Sequence, residues 1–337
     1  MYDIITFGSS AMDINLKSKA FKVLKSDKDF VTGEGICLSL GSKIDVQDIK
    51  FTSGGGGTNT AVTFAKQGLK TAFCGIVGED EAGREILKEL KSYKIDGSLV
   101  QKTKEKATNH SVIISSEDGQ DRTILVYRGA SELLNKQNIP WDKLKSKWIY
   151  IAPLSGQLCD TFEDIVDFAY KNKIKIAINP GSSQLYLPQE TLSRIFKKID
   201  ILILNQEEAS FLTKVSFQDE VEVFRKIDEM CPGVAVMTKG GEGVTVSDGK
   251  YFYSAKPNPT RLVVDTTGAG DSFASGFVAE FIKTNDIEKA MQFGMANSEG
   301  NLKEIGAKTG LLDKNAKYIK VPVQKQLCSE NNLCTTK

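Results

Sequence analysis

The feature that most constrains the fold of this chain is the repeated alternation of short apolar segments with amphipathic helical patterns. The apolar segments are rich in β-branched residues, which is typical of strands buried on both faces. They cover residues 4–8, 71–77, 148–152, 174–179, 199–205 and 234–238. The helical patterns cover residues 58–67, 82–93, 160–172, 189–197 and 220–229. Because strands that alternate with helices form βαβ units, the sequence predicts an α/β fold around a mostly parallel sheet.

Two segments, residues 14–53 and 95–128, break this alternation. Apolar and polar residues alternate within them, as at 111–115 and 123–127, and a turn signal lies at 117–120. This pattern predicts antiparallel strands outside the main sheet. We expect the two segments to pair into one small β-sheet above the carboxyl ends of the main strands, where α/β sheets bind ligands. The alternative is an extension of the edge of the main sheet.

The charge and length of the chain argue against several classes of partner. The 337 residues carry 44 Lys and Arg against 43 Asp and Glu, and 40% of them are hydrophobic. This balance predicts no contact with nucleic acid and none with a membrane, since the apolar runs are only of strand length. No basic leader precedes an apolar stretch at the N-terminus, so we expect a cytoplasmic protein. We also expect one domain over residues 1–323 and a polar, disordered tail over 324–337.

Cysteine and histidine chemistry fits this sequence poorly. The six cysteines include no Cys-x-x-Cys pair, and His110 is the one histidine of the chain. Zinc and dithiol redox motifs are therefore absent, and free thiols are favoured in a chain of this size. A hydrolase would depend on His110, which lies in a polar stretch without a nucleophile elbow.

The run from Asp265 to Phe273 places a glycine-rich turn directly before a carboxylate at the start of a helical pattern. Gly268 and Gly270 let backbone N–H groups approach an oxyanion, and a helix start adds unpaired amides and the positive end of its dipole. A phosphoryl group suits such a site. Asp271 beside it can accept the proton of a nucleophilic hydroxyl. The alternative is an ordinary capped helix start.

A second glycine cluster, from Gly54 to Gly57, leads into another helical pattern through Asn59. Its backbone amides and the Asn59 side chain can hydrogen-bond the hydroxyls of a polyol. Asp13 follows the first strand and can accept further hydrogen bonds from hydroxyls. A flexible capped loop and a turn aspartate are the structural alternatives.

Two further strand ends carry groups suited to a nucleotide and its metal. Asn205 and Glu208 lie three residues apart at the start of a helix, which suits a Mg²⁺ ion held through water beside phosphates. A capping box explains the same spacing. Gly241 and Gly243 follow the strand that ends at Thr238 and suit backbone contact with a nucleotide. The sequence contains neither a Walker A motif nor a dinucleotide fingerprint after its first strand.

Together and in this order, these motifs resemble those of the ribokinase (PfkB-type carbohydrate kinase) family over about residues 3–323. The Asp-Thr-x-Gly-Ala-Gly-Asp run is the most specific of them. The resemblance implies a ribokinase-like three-layer sandwich, in which helices flank a central, mostly parallel sheet and a small β-sheet lid closes over the sugar. It also implies Mg²⁺-dependent transfer of the γ-phosphate of ATP to a hydroxymethyl group of a small, ribose- or fructose-like carbohydrate.

The resemblance also assigns roles to single residues. Asp271 is the implied catalytic base, and the implied anion hole consists of Gly268, Ala269 and Gly270. The implied substrate residues are Asp13, Gly54, Gly55, Gly56 and Asn59. The implied nucleotide residues are Asn205, Thr238, Lys239, Gly241, Gly243 and, near the adenine, Asn297, with Glu208 holding Mg²⁺ through water. Many members bind K⁺, for which the matching positions are Asp265, Thr267, Asn301 and Gly306.

The first glycine cluster departs from that of strict ribokinases, because Gly56 replaces a lysine and Thr58 an alanine. The acceptor therefore stays open. The run 121–130 resembles lid and substrate-contact segments of sugar kinases, but nucleoside kinases share the scaffold. Apolar walls for a nucleoside base have three candidates, Phe30, Phe51 and Tyr127. A sugar or nucleotide sensor without catalysis is a further alternative, and an exposed lid edge suggests a homodimer.

Overall fold

The computed structural model of the protein describes residues 1–26, 28, 34–115, 122–259 and 261–327. Its helices are α1 (Gly56–Lys66), α2 (Glu81–Ser92), α3 (Gly156–Asp160), α4 (Phe162–Lys171), α5 (Ser182–Leu185), α6 (Gln189–Phe196), α7 (Gln206–Thr213), α8 (Glu220–Met230), α9 (Ala269–Thr284) and α10 (Ile287–Leu302). Its strands are β1 (Tyr2–Phe7), β2 (Ala11–Lys17), β3 (Lys22–Lys25), β4 (Glu34–Cys37), β5 (Asp48–Gly54), β6 (Thr71–Cys74), β7 (Ile76–Gly78), β8 (Gln101–Thr103), β9 (Asn109–Ser115), β10 (Arg122–Tyr127), β11 (Ser146–Ile151), β12 (Lys175–Ile178), β13 (Ile201–Asn205), β14 (Val234–Thr238), β15 (Val244–Ser247), β16 (Tyr251–Ala255) and β17 (Gln324–Leu327). The predicted strands and helices are present, although residues 71–77 are divided between β6 and β7.

The described residues form a nine-stranded central sheet in the order β17-β16-β15-β14-β13-β12-β11-β1-β6. The strands from β6 to β14 pair in parallel, whereas those from β14 to β17 pair antiparallel. The predicted mostly parallel sheet is therefore confirmed, with an antiparallel extension at one edge. Because parallel strands end at the same edge, the loops after β1, β13 and β14 share the ligand-binding edge of the sheet.

Helices bury both faces of this sheet. Successive residues of the strands alternate between the faces, so Ile5 and Phe7 of β1 pack in a core with residues of α4, α6 and α8. Ile4 of the same strand packs on the other face with Tyr150, beneath α1, α9 and α10. Complete burial of one such side chain stabilises the fold by about 1.5–3 kcal/mol. Helix, sheet and helix thus form the predicted three layers.

A separate small sheet has the strand order β10-β9-β2-β5 among the described residues. β2 and β5 come from the first atypical segment, and β9 and β10 come from the second. The small sheet is thus confirmed, and the edge extension is wrong. Antiparallel pairing holds within each segment but fails between them, because β2 pairs in parallel with β9. No hairpin joins those two strands and sets their relative direction, and the turn signal at 117–120 lies outside the described residues.

The predicted disorder of the tail is wrong at its start. Residues Gln324–Leu327 form β17, which pairs antiparallel with β16 and ends the central sheet. The polar composition that indicated disorder suits an edge strand, whose side chains stay largely exposed. The sheet therefore extends past the predicted domain end at residue 323, and residues 328–337 lie outside the described part of the chain.

Two further expectations concern the membrane and the thiols. Among the described helices, none combines the length and apolar character that crossing a bilayer requires. Among the described residues, no disulfide is formed by the cysteines, which are Cys37, Cys74, Cys159 and Cys231.

Candidate active site

α9 begins directly after a tight turn that ends at Gly268. This residue has a left-handed backbone with φ of 79°, and a Cβ on it would lie 2.6 Å from the Cβ of Ala307. Glycine is therefore required at this position. The N–H groups of the first turn of α9 have no partner inside the helix, and the helix dipole is positive there. The turn thus presents a site that favours an anion.

Asp271 lies in this first turn of α9, and α1 supplies its partner. Nδ2 of Asn59 donates a hydrogen bond of 2.9 Å to Oδ2 of Asp271, across 212 positions of sequence. Burial raises the pKa of the Asp271 carboxyl above its ordinary value, and the hydrogen bond from Asn59 opposes that rise. The structure therefore holds a buried carboxyl in one orientation beside the anion-favouring turn.

Two cavities meet at this helix start. We call the first the α9–α10 cavity; it has a volume of about 290 Å³, and Ala269 and Gly270 line it. The second, the small-sheet cavity, has a volume of about 230 Å³ and is lined by Gly268 and Asp271. A group bound at the first turn of α9 therefore lies between the two cavities.

The α9–α10 cavity has a glycine-rich side and an apolar side. Thr238, Gly241 and Gly243, three residues predicted for the nucleotide, line the first side from the loop after β14. The apolar side is formed by Val244, Phe273, Met295, Ala296 and Val321. Such walls suit a flat apolar ring whose anionic end reaches the start of α9.

The other three residues predicted for the nucleotide, Asn205, Lys239 and Asn297, do not line this cavity. Nζ of Lys239 forms an ion pair of 2.7 Å with Glu220 of α8, which draws its side chain away. Asn297 is fully buried; its Nδ2 donates to the carbonyl of Ser272 at 2.8 Å, and its Oδ1 accepts from the N–H of Leu312 at 2.9 Å. The amide of Asn297 therefore joins α10 to α9 and to the chain that follows, and its placement near the adenine stays a prediction.

Most predicted substrate residues converge on the small-sheet cavity, which is lined by Asp13, Gly55, Gly56 and Asn59. Gly54 has a different position. A Cβ on Gly54 would lie 2.1 Å from Oδ2 of Asp13, so this glycine makes room for that carboxylate. Desolvation raises the pKa of Asp13, and a hydrogen bond from the hydroxyl of Ser111 opposes the rise.

The small sheet adds lining residues that the sequence analysis did not single out, although Arg128 lies within the run 121–130 that resembles substrate-contact segments. Asn109 and Ser111 project from β9, and Arg128 follows β10. Their signal is the strand period of two, since Ile124, Val126 and Arg128 lie on one face of the sheet. The amino-acid sequence shows this period but does not show which face covers the cavity.

The aromatic residues proposed for a nucleoside base lie elsewhere. Phe51 lines a different cavity beside α2, and Tyr127 alternates with the residues of β10 that line the small-sheet cavity. Phe30 lies outside the described residues. Of the described residues that line the small-sheet cavity, none is aromatic.

An ion pair between the buried Lys308 and the half-buried Glu89 supports the first glycine cluster from behind. Nζ of Lys308 donates to Oγ of Ser53 at 2.7 Å and to Oε2 of Glu89 at 2.8 Å, and its side chain is 5% exposed. Burial lowers the pKa of Lys308, and the nearby Glu89 carboxylate opposes that change. Because Ser53 precedes Gly54, this pair ties α2 to the start of the glycine cluster.

Asn205 and Glu208 form the capping box that was the structural alternative for them. Oδ1 of Asn205 accepts from the N–H of Glu208, and Oε2 of Glu208 accepts from the N–H of Asn205, both at 2.8 Å. Burial raises the pKa of Glu208. The described part of the chain holds no cluster of three or more acidic, histidine or cysteine side chains able to bind a metal. Any Mg²⁺ there would need ligands from phosphate and water.

The four residues matched to a monovalent cation lie together beside the turn before α9. The N–H of Gly306 donates to Oδ2 of Asp265 at 3.0 Å, and Nδ2 of Asn301 donates to the carbonyl of Gly306 at 2.9 Å. The hydroxyl of Thr267 donates to Oδ1 of Asp265 at 2.7 Å. Oδ1 of Asn301 is buried without a hydrogen-bond partner among the described residues.

Tyr150 is a further buried polar residue that the sequence analysis missed. It lies in the middle of β11, and its hydroxyl has no hydrogen-bond partner among the described residues. Burial and the charges of Asp271 and Glu208 raise its pKa. An apolar strand pattern hides such a residue, because a tyrosine ring packs like a phenylalanine.

Comparison with known proteins places this geometry in a family. The profile of the pfkB family carbohydrate kinases matches residues 3–314. A ribokinase from Haemophilus influenzae is 26% identical over 310 residues, which cover 87% of this chain and 95% of that protein. A nucleoside kinase from Methanothermobacter thermautotrophicus is 28% identical over 265 residues, or 77% of this chain and 81% of that protein.

Solved structures agree on the fold. An Arabidopsis thaliana ribokinase complexed with ribose and ATP has a TM-score of 0.76 at 22% identity, covering 93% of this chain and 96% of that one. The Methanocaldococcus jannaschii nucleoside kinase has a TM-score of 0.74 at 22% identity, covering 92% and 95%. The chain therefore belongs to the pfkB family of carbohydrate kinases and is a phosphotransferase with an alcohol group as acceptor.

Proposed function

We propose that this protein transfers the γ-phosphate of ATP to a hydroxymethyl group of a small carbohydrate. The observation that supports the proposal is the meeting of two cavities at the start of α9. Ala269 and Gly270 face the α9–α10 cavity, and Gly268 and Asp271 face the small-sheet cavity. ATP in the first cavity and a sugar in the second bring the reacting atoms to the same turn.

In the proposed reaction, Asp271 accepts the proton of the acceptor hydroxyl while its oxygen bonds to the γ-phosphorus. The bond from that phosphorus to the bridging oxygen breaks, and ADP leaves. The N–H groups of Gly268, Ala269 and Gly270 stabilise the charge on the moving phosphoryl group. Asn59 orients Asp271 through the hydrogen bond described above.

The acceptor is held, in this proposal, by Asp13, by the amides of Gly55 and Gly56, and by Asn59. A sugar fits this cavity better than a nucleoside, because its described lining residues include no aromatic ring to stack on a base. The small sheet would act as a lid that excludes water and so favours transfer over hydrolysis of ATP.

We infer that the nucleotide lies along Thr238, Gly241 and Gly243, with its ring against the apolar wall of the α9–α10 cavity. Mg²⁺ would be held by phosphates and by water on Asn205 and Glu208, whose oxygens suit a hard cation. Mg²⁺ supplies charge neutralisation of the phosphates when bound.

A monovalent cation such as K⁺ is proposed for the cluster of Asp265, Thr267, Asn301 and Gly306. Oδ1 of Asn301 supports this site, because a buried oxygen without a hydrogen bond is rare and suits a cation or a water. Turnover in potassium buffer should exceed turnover in a buffer that contains sodium alone. Equal rates in the two buffers would contradict the site.

ADP release from Mg·ATP tests the proposed function across ribose, fructose, fructose 6-phosphate, 2-keto-3-deoxygluconate, adenosine, cytidine and inosine. Turnover with a sugar is the expected result. An Asp271→Asn variant should lose about 10³-fold in kcat while ATP affinity persists, since it lacks only the base. Turnover with nucleosides alone would favour a nucleoside kinase. ATP binding without turnover would favour a sensor.

A homodimer through the small sheet is a further part of the proposal. The outer face of this sheet exposes apolar side chains, among them Leu125 at 55%, Tyr127 at 49% and Ile49 at 52% exposure. A second copy of the chain would cover such a face. Light scattering coupled to gel filtration should give twice the monomer mass, and Leu125→Lys should halve it. A monomeric wild type would contradict this part.

A further inference from the structure

We propose that Arg128 selects acceptors that carry a carboxylate, so that the substrates of this kinase are small sugar acids. The inference rests on the proposed function, because it concerns the acceptor site of that reaction. It depends on the position of the Arg128 side chain, on its lack of a partner among the described residues, and on the charges around it.

The small sheet places Arg128 at the cavity. Ile124, Val126 and Arg128 follow each other at the strand period of two, and all three line the small-sheet cavity. The main chain there is fixed, because the N–H of Ala130 donates to the carbonyl of Ala107 at 2.8 Å. Gly129 packs so tightly on Ala107 that a Cβ would lie 2.1 Å from its carbonyl oxygen. The guanidinium thus projects from an anchored point on the cavity wall.

Arg128 has no ion pair or side-chain hydrogen bond to any described residue. Most other arginines of the described chain are paired, as Arg84, Arg194 and Arg225 are with glutamates. Of the described residues lining the small-sheet cavity, Arg128 is the one cation. Lys308 lies behind the cavity and is already bound to Glu89. A guanidinium without a partner beside a ligand cavity is available for an anion on the ligand.

The charges of the cavity favour a carboxylate over a phosphate. Its titratable side chains are Asp13 and Asp271, which carry negative charge when ionised, and Arg128, which is positive. One guanidinium matches one carboxylate through two parallel hydrogen bonds. A phosphate monoester carries about −1.5 to −2 charges at neutral pH, so a single arginine would leave it poorly neutralised beside two carboxylates.

The test compares acceptors that differ in one group. D-gluconate is paired with D-glucitol and D-ribonate with D-ribitol, while fructose 6-phosphate and fructose form the phosphate pair. Calorimetry with a non-hydrolysable ATP analogue gives affinity, and ADP release gives kcat and KM. The wild type should prefer each acid over its alcohol by about tenfold or more in affinity.

Arg128→Gln should abolish that preference, with a loss of about 10- to 100-fold in affinity for the acid and little change for the alcohol. Arg128→Lys should keep part of the preference, since it keeps the charge without the planar fork. Lys50→Gln is the matched control, because Lys50 is a small-sheet cation that lines a neighbouring cavity. It should leave the preference unchanged.

Several outcomes would overturn the inference. Equal affinity of the wild type for acids and alcohols, or binding of neither, would make Arg128 a solvated surface residue. An Arg128→Gln variant with the same loss of kcat for every acceptor would place it on the moving phosphoryl group. A preference for fructose 6-phosphate alone would assign it to a phosphate. Binding of acids without turnover would support the inference and contradict the proposed kinase function.

Discussion

The two cavities that meet at α9 are lined by different kinds of chemical group. The α9–α10 cavity is formed mainly by glycine backbone and apolar side chains on two long helices and the central sheet. The small-sheet cavity draws polar and charged side chains from β2, β9, α1 and α9, and from Arg128 after β10. Backbone contacts tolerate changes of sequence, whereas side-chain contacts do not. Selectivity for the acceptor is therefore expected to reside in the small sheet, and recognition of the nucleotide in the glycine loops.

The largest effect is expected at the turn that both cavities share. Gly268→Ala should lower kcat by about 100-fold and the free energy of unfolding by about 2–3 kcal/mol, because its Cβ meets Ala307 and its φ is positive. Gly270→Ala is the matched control, since a Cβ there has no heavy atom within 4 Å. It should leave the melting temperature equal or higher. An equal loss of stability in both variants would mean that the positive φ and the close packing of Gly268 do not determine the stability of this turn.

Removal of the ion pair behind the glycine cluster should affect the small-sheet cavity and leave the α9–α10 cavity unchanged. Lys308→Met leaves Glu89 with the Ser53 hydroxyl but without its cationic partner, and we expect a loss of about 2–3 kcal/mol in the free energy of unfolding. Because Lys308 supports Ser53 and Gly54, KM for the acceptor should rise while KM for ATP stays constant. Urea unfolding and steady-state kinetics measure these quantities. A rise in both KM values would show that the two cavities are not independent.

The hydrogen bond from Asn59 to Asp271 should be visible in the pH profile. Asn59→Ala removes an interaction that stabilises the carboxylate, so the pKa of Asp271 should rise further above its ordinary value. Because the base acts when deprotonated, the acid limb of kcat/KM should move to higher pH. Ser111→Ala changes the same cavity without a bond to Asp271 and should leave the limb in place. An unmoved limb in Asn59→Ala would indicate another base.

The smallest effect concerns the buried hydroxyl of Tyr150, in the core beneath α9. Tyr150→Phe removes a hydroxyl without a partner among the described residues, so the free energy of unfolding should rise by about 1 kcal/mol. Ser272→Ala, which removes a second buried hydroxyl of this kind, should behave alike. A loss of stability in Tyr150→Phe would mean that an ordered water bonds the hydroxyl.

The central strands were predictable because burial on both faces leaves a continuous apolar pattern, as in β13 and β14. β15 and β16 were not identified, and β17 was taken for a disordered tail. These strands lie toward the edge of the sheet, where one turn joins β15 to β16 and polar residues are tolerated. β15 and β16 are only four and five residues long and include hydroxyl side chains, and β17 is mostly polar. Such short sequences lack the continuous apolar run that identified the central strands.

Site positions were easier to predict than side-chain directions. The glycine turns and Asp271 follow from local sequence, since they depend on backbone conformation and on a helix start. Asn297 and Lys239 do not line the α9–α10 cavity, because a motif gives the position of a residue but not the partner that its side chain finds in the tertiary structure. Arg128 was included in the run 121–130 but was not singled out, since its place at the cavity depends on which face of β10 covers that cavity.

The strand β17 has a consequence for the solution behaviour of the protein. It covers β16, whose open N–H and C=O groups would otherwise recruit strands from other molecules. The three polar residues of β17, together with Leu327, therefore give the sheet a short and mostly polar edge strand, which resists self-association into aggregates. A chain shortened to residue 323 keeps the residues that line both cavities but exposes β16 as the edge strand. We therefore expect it to aggregate more readily, while the protein that stays dispersed keeps its catalytic activity.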